Sequence, residues 1–350
     1  MVSIRFSAGT AKLVNRRSQN DGLNGYKEEF MAARILVSDS LAEEGLEVLC
    51  REAEVEVKTG LTPQQLAETI GQYDAIVVRS ATKVTAEVIE AGQRLRVIGR
   101  AGVGVDNIDV ERATERGIMV VNAPTPTVVA VAEHTMALLL ATARHVPRAD
   151  ASLREGKWLK KQLVGTTVAG KVLGIVGLGR IGTAVAKLAR AFAMEIIAYD
   201  PYLTREQFNE RGAIPVSSLE ELLKQSDFVT LHATLTPETQ GMIGVRELDM
   251  MKPTACLINC DRGAVVDEEA LLKALEEGKL AAAGLDCFCK EPATDNPLCC
   301  HEMVVATPHI AASTVEAQRD VGRQIAWQVL MALEGKRPQH LVNPEVLARA

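Results

Sequence analysis

The sequence predicts an α/β protein of two Rossmann-like, doubly wound parallel-sheet domains, with the substrate domain discontinuous, and three observations carry that prediction. Short apolar runs alternate with helical stretches of about ten to fifteen residues, the signature of right-handed crossover units and parallel strands. The alternation breaks at the two prolines of Asn122-Ala-Pro-Thr-Pro-Thr127 and then resumes, which marks a junction. The first strand after that junction runs directly into a glycine-rich turn. A chain of 350 residues is long enough for about two such domains.

Elements follow in order. Arg34-Ile-Leu-Val-Ser38 reads as a buried strand, Leu41 to Arg51 as a helix, Ala53 to Lys58 as a strand, and Thr62-Pro63 opens a second helix with proline in its first turn. Ala75 to Val78, Arg96 to Gly99 and Ile118 to Val121 are short apolar strands. A long apolar helix, Val128 to Arg144, follows the junction. Strands and helices resume at Lys171 and continue to Pro308, and an amphipathic helix runs from Thr314 to Leu333. The expected division is residues 34–130 with 314–343 as the substrate domain and 131–313 as the dinucleotide domain. Residues 1–33 form a leader without sustained apolar period; Arg5, Lys12, Arg16 and Arg17 stand there without an acid before Asp21, so it reads as disordered or as a transit segment.

Composition excludes several classes. Apolar residues make 47% and charged residues 24%, ordinary for a globular enzyme, and 39 basic against 45 acidic side chains leave a net charge of −6, which argues against a general nucleic-acid binder. No run approaches the roughly 18 to 20 apolar residues of a membrane span; Met136 to Ala143 comes nearest. The seven cysteines are expected as reduced thiols in a cytoplasmic protein, with plastid or mitochondrion as the alternative if the leader targets. Cys287-x-Cys289 and Cys299-Cys300-His301 lack the spacing of a zinc site, so no metal is expected.

The chemistry lies at strand ends. In Gly177-x-Gly179-x-x-Gly182 the first glycine permits the tight turn, the second lets backbone approach a pyrophosphate, and the third allows close packing of helix on sheet. The next strand, Glu195 to Tyr199, ends in Asp200, eighteen residues beyond Gly182, where an acid accepts from the adenosine ribose hydroxyls and repels a 2′-phosphate. NAD is therefore expected over NADP. Four later segments end strands with polar residues: Val229 to His232, Leu257 to Gly263, Ala283 to Asp286 continuing to Glu291-Pro292, and Val304 to His309. Hydride transfer from a 2-hydroxy acid needs a cation, a base and an acid that orients the base, and Arg262, His309 and Glu291 supply one of each. A carboxylate beside an imidazole favours the protonated ring, which suits both directions of the reaction.

Across residues 34 to 343 the sequence resembles the NAD-dependent D-2-hydroxyacid dehydrogenases, most of all their 3-phosphoglycerate-oxidising branch. The segments that carry the likeness are Val78 to Thr85, Gly99 to Asn107, Gly177 to Gly182, Asp261-Arg-Gly263, Val265 to Glu268, Glu291-Pro292 and Thr307-Pro-His309. The resemblance implies that Arg262 grips the substrate carboxylate, that His309 exchanges the proton beside the cofactor, and that Glu291 is its partner. It implies further cofactor contacts from Arg180, Ile181, Asp200, Thr234, Asp286 and the Cys260, Asp261 and Arg262 backbone. Substrate contacts are implied for Arg79, Lys83, Arg100, Val103 and Gly104, and a homodimer or higher homo-oligomer for the assembly. The reaction implied is oxidation of 3-phospho-D-glycerate to 3-phosphohydroxypyruvate, the first step of serine biosynthesis. A glyoxylate or hydroxypyruvate reductase of the same family and an NAD(H)-sensing corepressor are the alternatives. Five positions depart from the family pattern: Asp261 replaces a small residue before the arginine, Pro126-Thr127 a Gly-Asn pair, Thr234 a proline and Ala311 a glycine. No serine-feedback domain is expected after residue 343.

Overall fold

The computed structural model describes residues 32–348 together with the backbone of two short strands at 6–7 and 10–13. Contacts divide the chain into two units, the residues up to Thr127 with those from Thr314 onward, and Val128–Ser313.

The first unit is built on one sheet. Its strands are β1 (Phe6–Ser7), β2 (Thr10–Leu13), β3 (Arg34–Val37), β4 (Glu54–Val57), β5 (Ala75–Val78), β6 (Val97–Arg100) and β7 (Met119–Asn122), in the spatial order β1-β2-β4-β3-β5-β6-β7. From β4 to β7 every neighbouring pair is parallel. The leader, read as lacking regular structure, supplies β1 and β2, which extend the sheet antiparallel from β4. That correction has a physical reason: β4 presents an open edge whose N–H and C=O groups pair with any extended segment, and such pairing leaves no apolar period in the sequence. The transit reading of residues 1–30 lies outside the described residues.

Alternation along each strand builds two apolar layers. In β3, Ile35 and Val37 enter one cluster and Leu36 the other, all fully buried, as a parallel sheet covered on both faces requires. The helices Glu43–Glu52 and Val315–Leu333 pack together where Gly45 faces Gly322. A Cβ at Gly45 would stand 2.7 Å from the Gly322 carbonyl oxygen, so only glycine permits that approach. The sequence signal Thr62-Pro63 forms a capping box: Thr62 accepts from the Gln65 N–H at 3.2 Å while the Gln65 side chain accepts from the Thr62 N–H at 3.0 Å.

The second unit holds β8 (Val172–Val176), β9 (Glu195–Tyr199), β10 (Ile214–Pro215), β11 (Phe228–Leu231), β12 (Cys256–Asn259), β13 (Ala282–Leu285) and β14 (Val304–Ala306). All are parallel, in the order β10-β9-β8-β11-β12-β13-β14. The apolar helix Val128–Ala143 and the helix Arg180–Ala191 cover one face with β8 and β12 residues such as Ile175 and Ile258. The other face buries Val229, Leu231 and Leu257.

Among the parallel strands each order reverses once. The reversals fall between β3 and β5 and between β8 and β11, and open α/β sheets bind ligands just beyond the strand ends at such points.

Candidate active site

The glycine turn sits at the second unit's reversal. Gly177 has φ +86°, and a Cβ there would collide with the His232 carbonyl that follows β11. A Cβ on Gly182 would strike the carbonyl of Gly177, which fixes how closely helix meets turn. Nothing lies within 4 Å of the Cβ position of Gly179. That open ground beside a helix N-terminus fits the pyrophosphate of a dinucleotide. The helix that follows the turn starts at Arg180, so Arg180 and Ile181 stand in its first turn. Asp200 accepts from the Leu178 N–H at 3.0 Å through Oδ2 and from the Tyr202 N–H at 3.1 Å through Oδ1. Each oxygen keeps a lone pair for a ribose hydroxyl while the carboxylate braces the glycine turn.

Arg262 leaves the end of β12 on a loop that Asn259 closes. The Asn259 side chain donates to the Arg262 carbonyl at 2.9 Å and accepts from the Asp261 N–H at 3.1 Å. Nη1 of Arg262 donates to the Asp261 carbonyl at 2.7 Å and lies 3.8 Å from Oδ1 of the same aspartate. The departure at 261 thus places a carboxylate beside the Arg262 guanidinium.

His309 and Glu291 meet. Nδ1 of His309 lies 2.8 Å from Oε2 and 3.0 Å from Oε1 of Glu291, and Oε1 also accepts from the Phe288 N–H at 3.1 Å. A carboxylate only accepts, so Nδ1 carries the hydrogen and Nε2 is the nitrogen left to exchange a proton. The ring stands on a turn in which His309 itself has φ +53°, a conformation that L side chains rarely adopt. Asp286, expected as a cofactor contact, holds that turn. Its carbonyl accepts from the His309 N–H at 2.7 Å, Oδ1 from the Ile310 N–H at 2.8 Å and the Thr307 hydroxyl at 2.6 Å, and Oδ2 from the Ala311 N–H at 2.8 Å. Burial pushes this carboxyl's pKa up, but His134, Thr307 and the two N–H groups outweigh it and hold it below the usual carboxylate range. Cys260 is buried and its thiol is pushed up to about 12, so it offers packing and backbone rather than a thiolate. The carbonyl of Thr234 accepts from the Thr239 hydroxyl at 2.7 Å, which shapes the loop after β11.

The first unit carries the other expected residues at its own reversal. Asp39, just past β3, accepts from the Arg79 N–H at 2.6 Å, the Thr82 N–H at 3.2 Å and the Thr82 hydroxyl at 2.9 Å. Asn107 donates to the carbonyls of Arg79 at 2.7 Å and Thr82 at 2.6 Å, so the segment bearing Arg79 and Lys83 is clamped from two sides. Gly102 has φ +150° and lies so near the Arg100 guanidinium that a Cβ would overlap it. Asn122 donates to the Val103 carbonyl at 2.7 Å and steadies the turn that leads into Gly104. Sequence reasoning missed Asp39, Thr82, Asn107, Asn122 and Asn259; their signal was a short polar side chain at a strand end or in the loop beyond it, which accepts from or donates to nearby backbone.

Among the described residues no three His, Cys, Asp or Glu side chains are grouped to hold a metal ion, and no helix is long and apolar enough to cross a membrane.

A reversed parallel sheet with an open glycine turn, an acid at the next strand end and a carboxylate-held imidazole defines a dinucleotide-binding unit equipped for proton exchange. Residues 136–311 match the family described as D-isomer specific 2-hydroxyacid dehydrogenase, NAD binding domain. The chain is 51% identical over 310 residues to a D-3-phosphoglycerate dehydrogenase of Methanocaldococcus jannaschii, covering 89% of this chain and 59% of that protein. To the D-3-phosphoglycerate dehydrogenase of a Synechocystis species it is 47% identical over 314 residues, covering 90% and 56%. The solved structure of a glyoxylate reductase from Paecilomyes thermophila superimposes with a TM-score of 0.81 at 33% identity, covering 90% of this chain and 99% of that one. The chain belongs to the D-isomer specific 2-hydroxyacid dehydrogenase family, and its cofactor is a nicotinamide dinucleotide. It spans just under three fifths of the length of those two curated relatives.

Proposed function

We propose that the chain oxidises 3-phospho-D-glycerate to 3-phosphohydroxypyruvate. The observation that carries the reading is the imidazole of His309 held 2.8 Å from Glu291 in the unit that binds the dinucleotide. When bound, oxidised NAD supplies the hydride acceptor, taking the hydrogen of C2 with its electron pair. Nε2 of His309 takes the hydroxyl proton, so the alcohol becomes a ketone as NADH and one proton form. Glu291 fixes the ring's tautomer and favours the protonated imidazole. Arg262 takes the carboxylate in a charge-assisted pair. Arg79, Lys83 and Arg100 are the cations we assign to the phosphate, and Asp200 the acid that selects NAD over NADP.

A branch that takes a phosphorylated acid is favoured because the segment bearing Arg79 and Lys83 is clamped at its own reversal point. We also assign a homodimer, since Val146, Leu153, Trp158 and Val164 are all exposed along one stretch of the second unit, Trp158 by 79%. Seven free cysteines fit a cytoplasmic setting.

NAD reduction measured side by side with 3-phospho-D-glycerate, D-glycerate and D-lactate tests the assignment. The reading requires kcat/KM for the phosphorylated acid to lead by at least about tenfold, or roughly 1.4 kcal/mol. Equal or better turnover of either unphosphorylated acid contradicts it.

A further inference from the structure

We propose that His134 is a positioning residue for His309, acting through Thr307 and Asp286; the proposal rests on the acid–base role given to His309 above. His134 lies on the helix Val128–Ala143, which buries Val131, Ala132, Met136 and Leu138. Its Nε2 stands 3.0 Å from the Thr307 hydroxyl and 3.3 Å from Oδ1 of Asp286.

Proton counting fixes the direction of this network. The Thr307 hydroxyl has one hydrogen and donates it to Oδ1 of Asp286 at 2.6 Å, so towards His134 it can only accept. Nε2 of His134 must therefore carry a hydrogen, whatever the charge of the ring. The donated hydrogen locks the Thr307 rotamer, and the same ring nitrogen supports the Asp286 carboxylate, which is 1% exposed and needs every donor it has. Asp286 in turn gathers the N–H groups of three consecutive residues, 309, 310 and 311. Those bonds hold His309 at φ +53°, and that backbone sets where its imidazole meets Glu291. His134 thus ties a strained turn to a rigid apolar helix. Without it, one donor is lost from a buried carboxylate and the Thr307 hydroxyl is free to rotate. The turn can then relax towards an ordinary conformation, and a small misplacement of an acid–base group carries a large cost in rate.

The test uses the full chain and two substitutions, His134→Ala and His134→Gln, the second because the glutamine amide nitrogen can reach the place of Nε2. The first readout is hydrogen exchange at the Ile310 and Ala311 amides without substrate or cofactor. Exchange should quicken by about tenfold in the alanine variant and return most of the way in the glutamine variant. The second is steady-state turnover: kcat falls about tenfold in His134→Ala with KM for NAD unchanged, and His134→Gln restores it to within about threefold. Thr307→Val, which keeps the shape and removes the hydroxyl, should reproduce the alanine result even if His134→Ala does not fold. Adding it to His134→Ala should cost little more, because both act on one network. Unaltered exchange at 310 and 311, equal losses with alanine and glutamine, or additive losses in the double variant overturn the proposal. Altered exchange in a chain that turns over no hydroxy acid would retain the positioning and reject the proposed reaction instead.

Discussion

Asp261→Ala removes a carboxylate that lies 3.8 Å from Nη1 of Arg262. The bond from Nη1 to the backbone carbonyl of residue 261 survives, as do the two Asn259 bonds that close the loop, so the guanidinium keeps its place. What changes is charge. A substrate carboxylate on the other side of the same guanidinium would stand about 7 Å from the Asp261 oxygens, a repulsion of roughly 0.6–2.4 kcal/mol for effective dielectric constants of about 80 down to 20. The Arg262 and Asp261 side chains are 28% and 19% exposed, which places the pair between those limits. A midpoint near 1.5 kcal/mol predicts that KM for the hydroxy acid falls about tenfold. KM for NAD should hold, and the gain should shrink at high salt, which screens the charge that was removed. The assay is steady-state reduction of NAD at saturating cofactor, at low and high ionic strength. An unchanged KM for the hydroxy acid at low salt would refute the electrostatic reasoning and make this substitution silent.

Three further outcomes follow from the geometry. His309→Ala and Glu291→Gln should each lower kcat by about 10² to 10⁴ while leaving NADH affinity within about twofold, because one removes the proton carrier and the other its tautomer lock; calorimetric NADH titration beside turnover checks both. Gly177→Ala should lower Tm by several degrees, since its Cβ meets the His232 carbonyl at a positive φ, whereas Gly179→Ala should leave Tm unchanged and weaken NADH binding at least about tenfold. Burial pushes the pKa of His232 down to about 3, so folding disfavours its protonated form. Its contribution to stability is complete above about pH 6.5 and is lost as pH falls towards 3, by up to roughly 5 kcal/mol. Urea titrations of His232→Gln should therefore show a flatter fall in stability than the parent chain between about pH 6.5 and 4; parallel curves would show that His232 is not buried as a neutral ring.

The fold was legible because each core strand alternates between two buried faces, and each residue proposed as catalytic follows one of those strands. Period and strand-end chemistry alone point to Gly177, Asp200, Arg262, Glu291 and His309. Two short edge strands, β1 and β2, escaped because backbone pairing to an open edge leaves no side-chain period. The role of Asp286 escaped for another reason. An acid at a strand end reads equally well as a cofactor contact or as an acceptor for backbone N–H groups, and only the three-dimensional turn at residues 309–311 shows that both its oxygens already accept from the protein. His134 lies 173 residues before Thr307, too far for local spacing to join it to the turn it supports, and helix periodicity says only that it shares a helix with buried apolar residues.

The most direct measurement follows the hydrogen itself. Single-turnover oxidation of 3-phospho-D-glycerate carrying deuterium at C2, with mass analysis of the nicotinamide product, reports whether C2 hands its hydride to the cofactor. The account predicts one deuterium on C4 of each NADH formed by the parent chain and no labelled NADH from His309→Ala on the same timescale. NADH free of deuterium, or equal labelling by the two proteins, would contradict it.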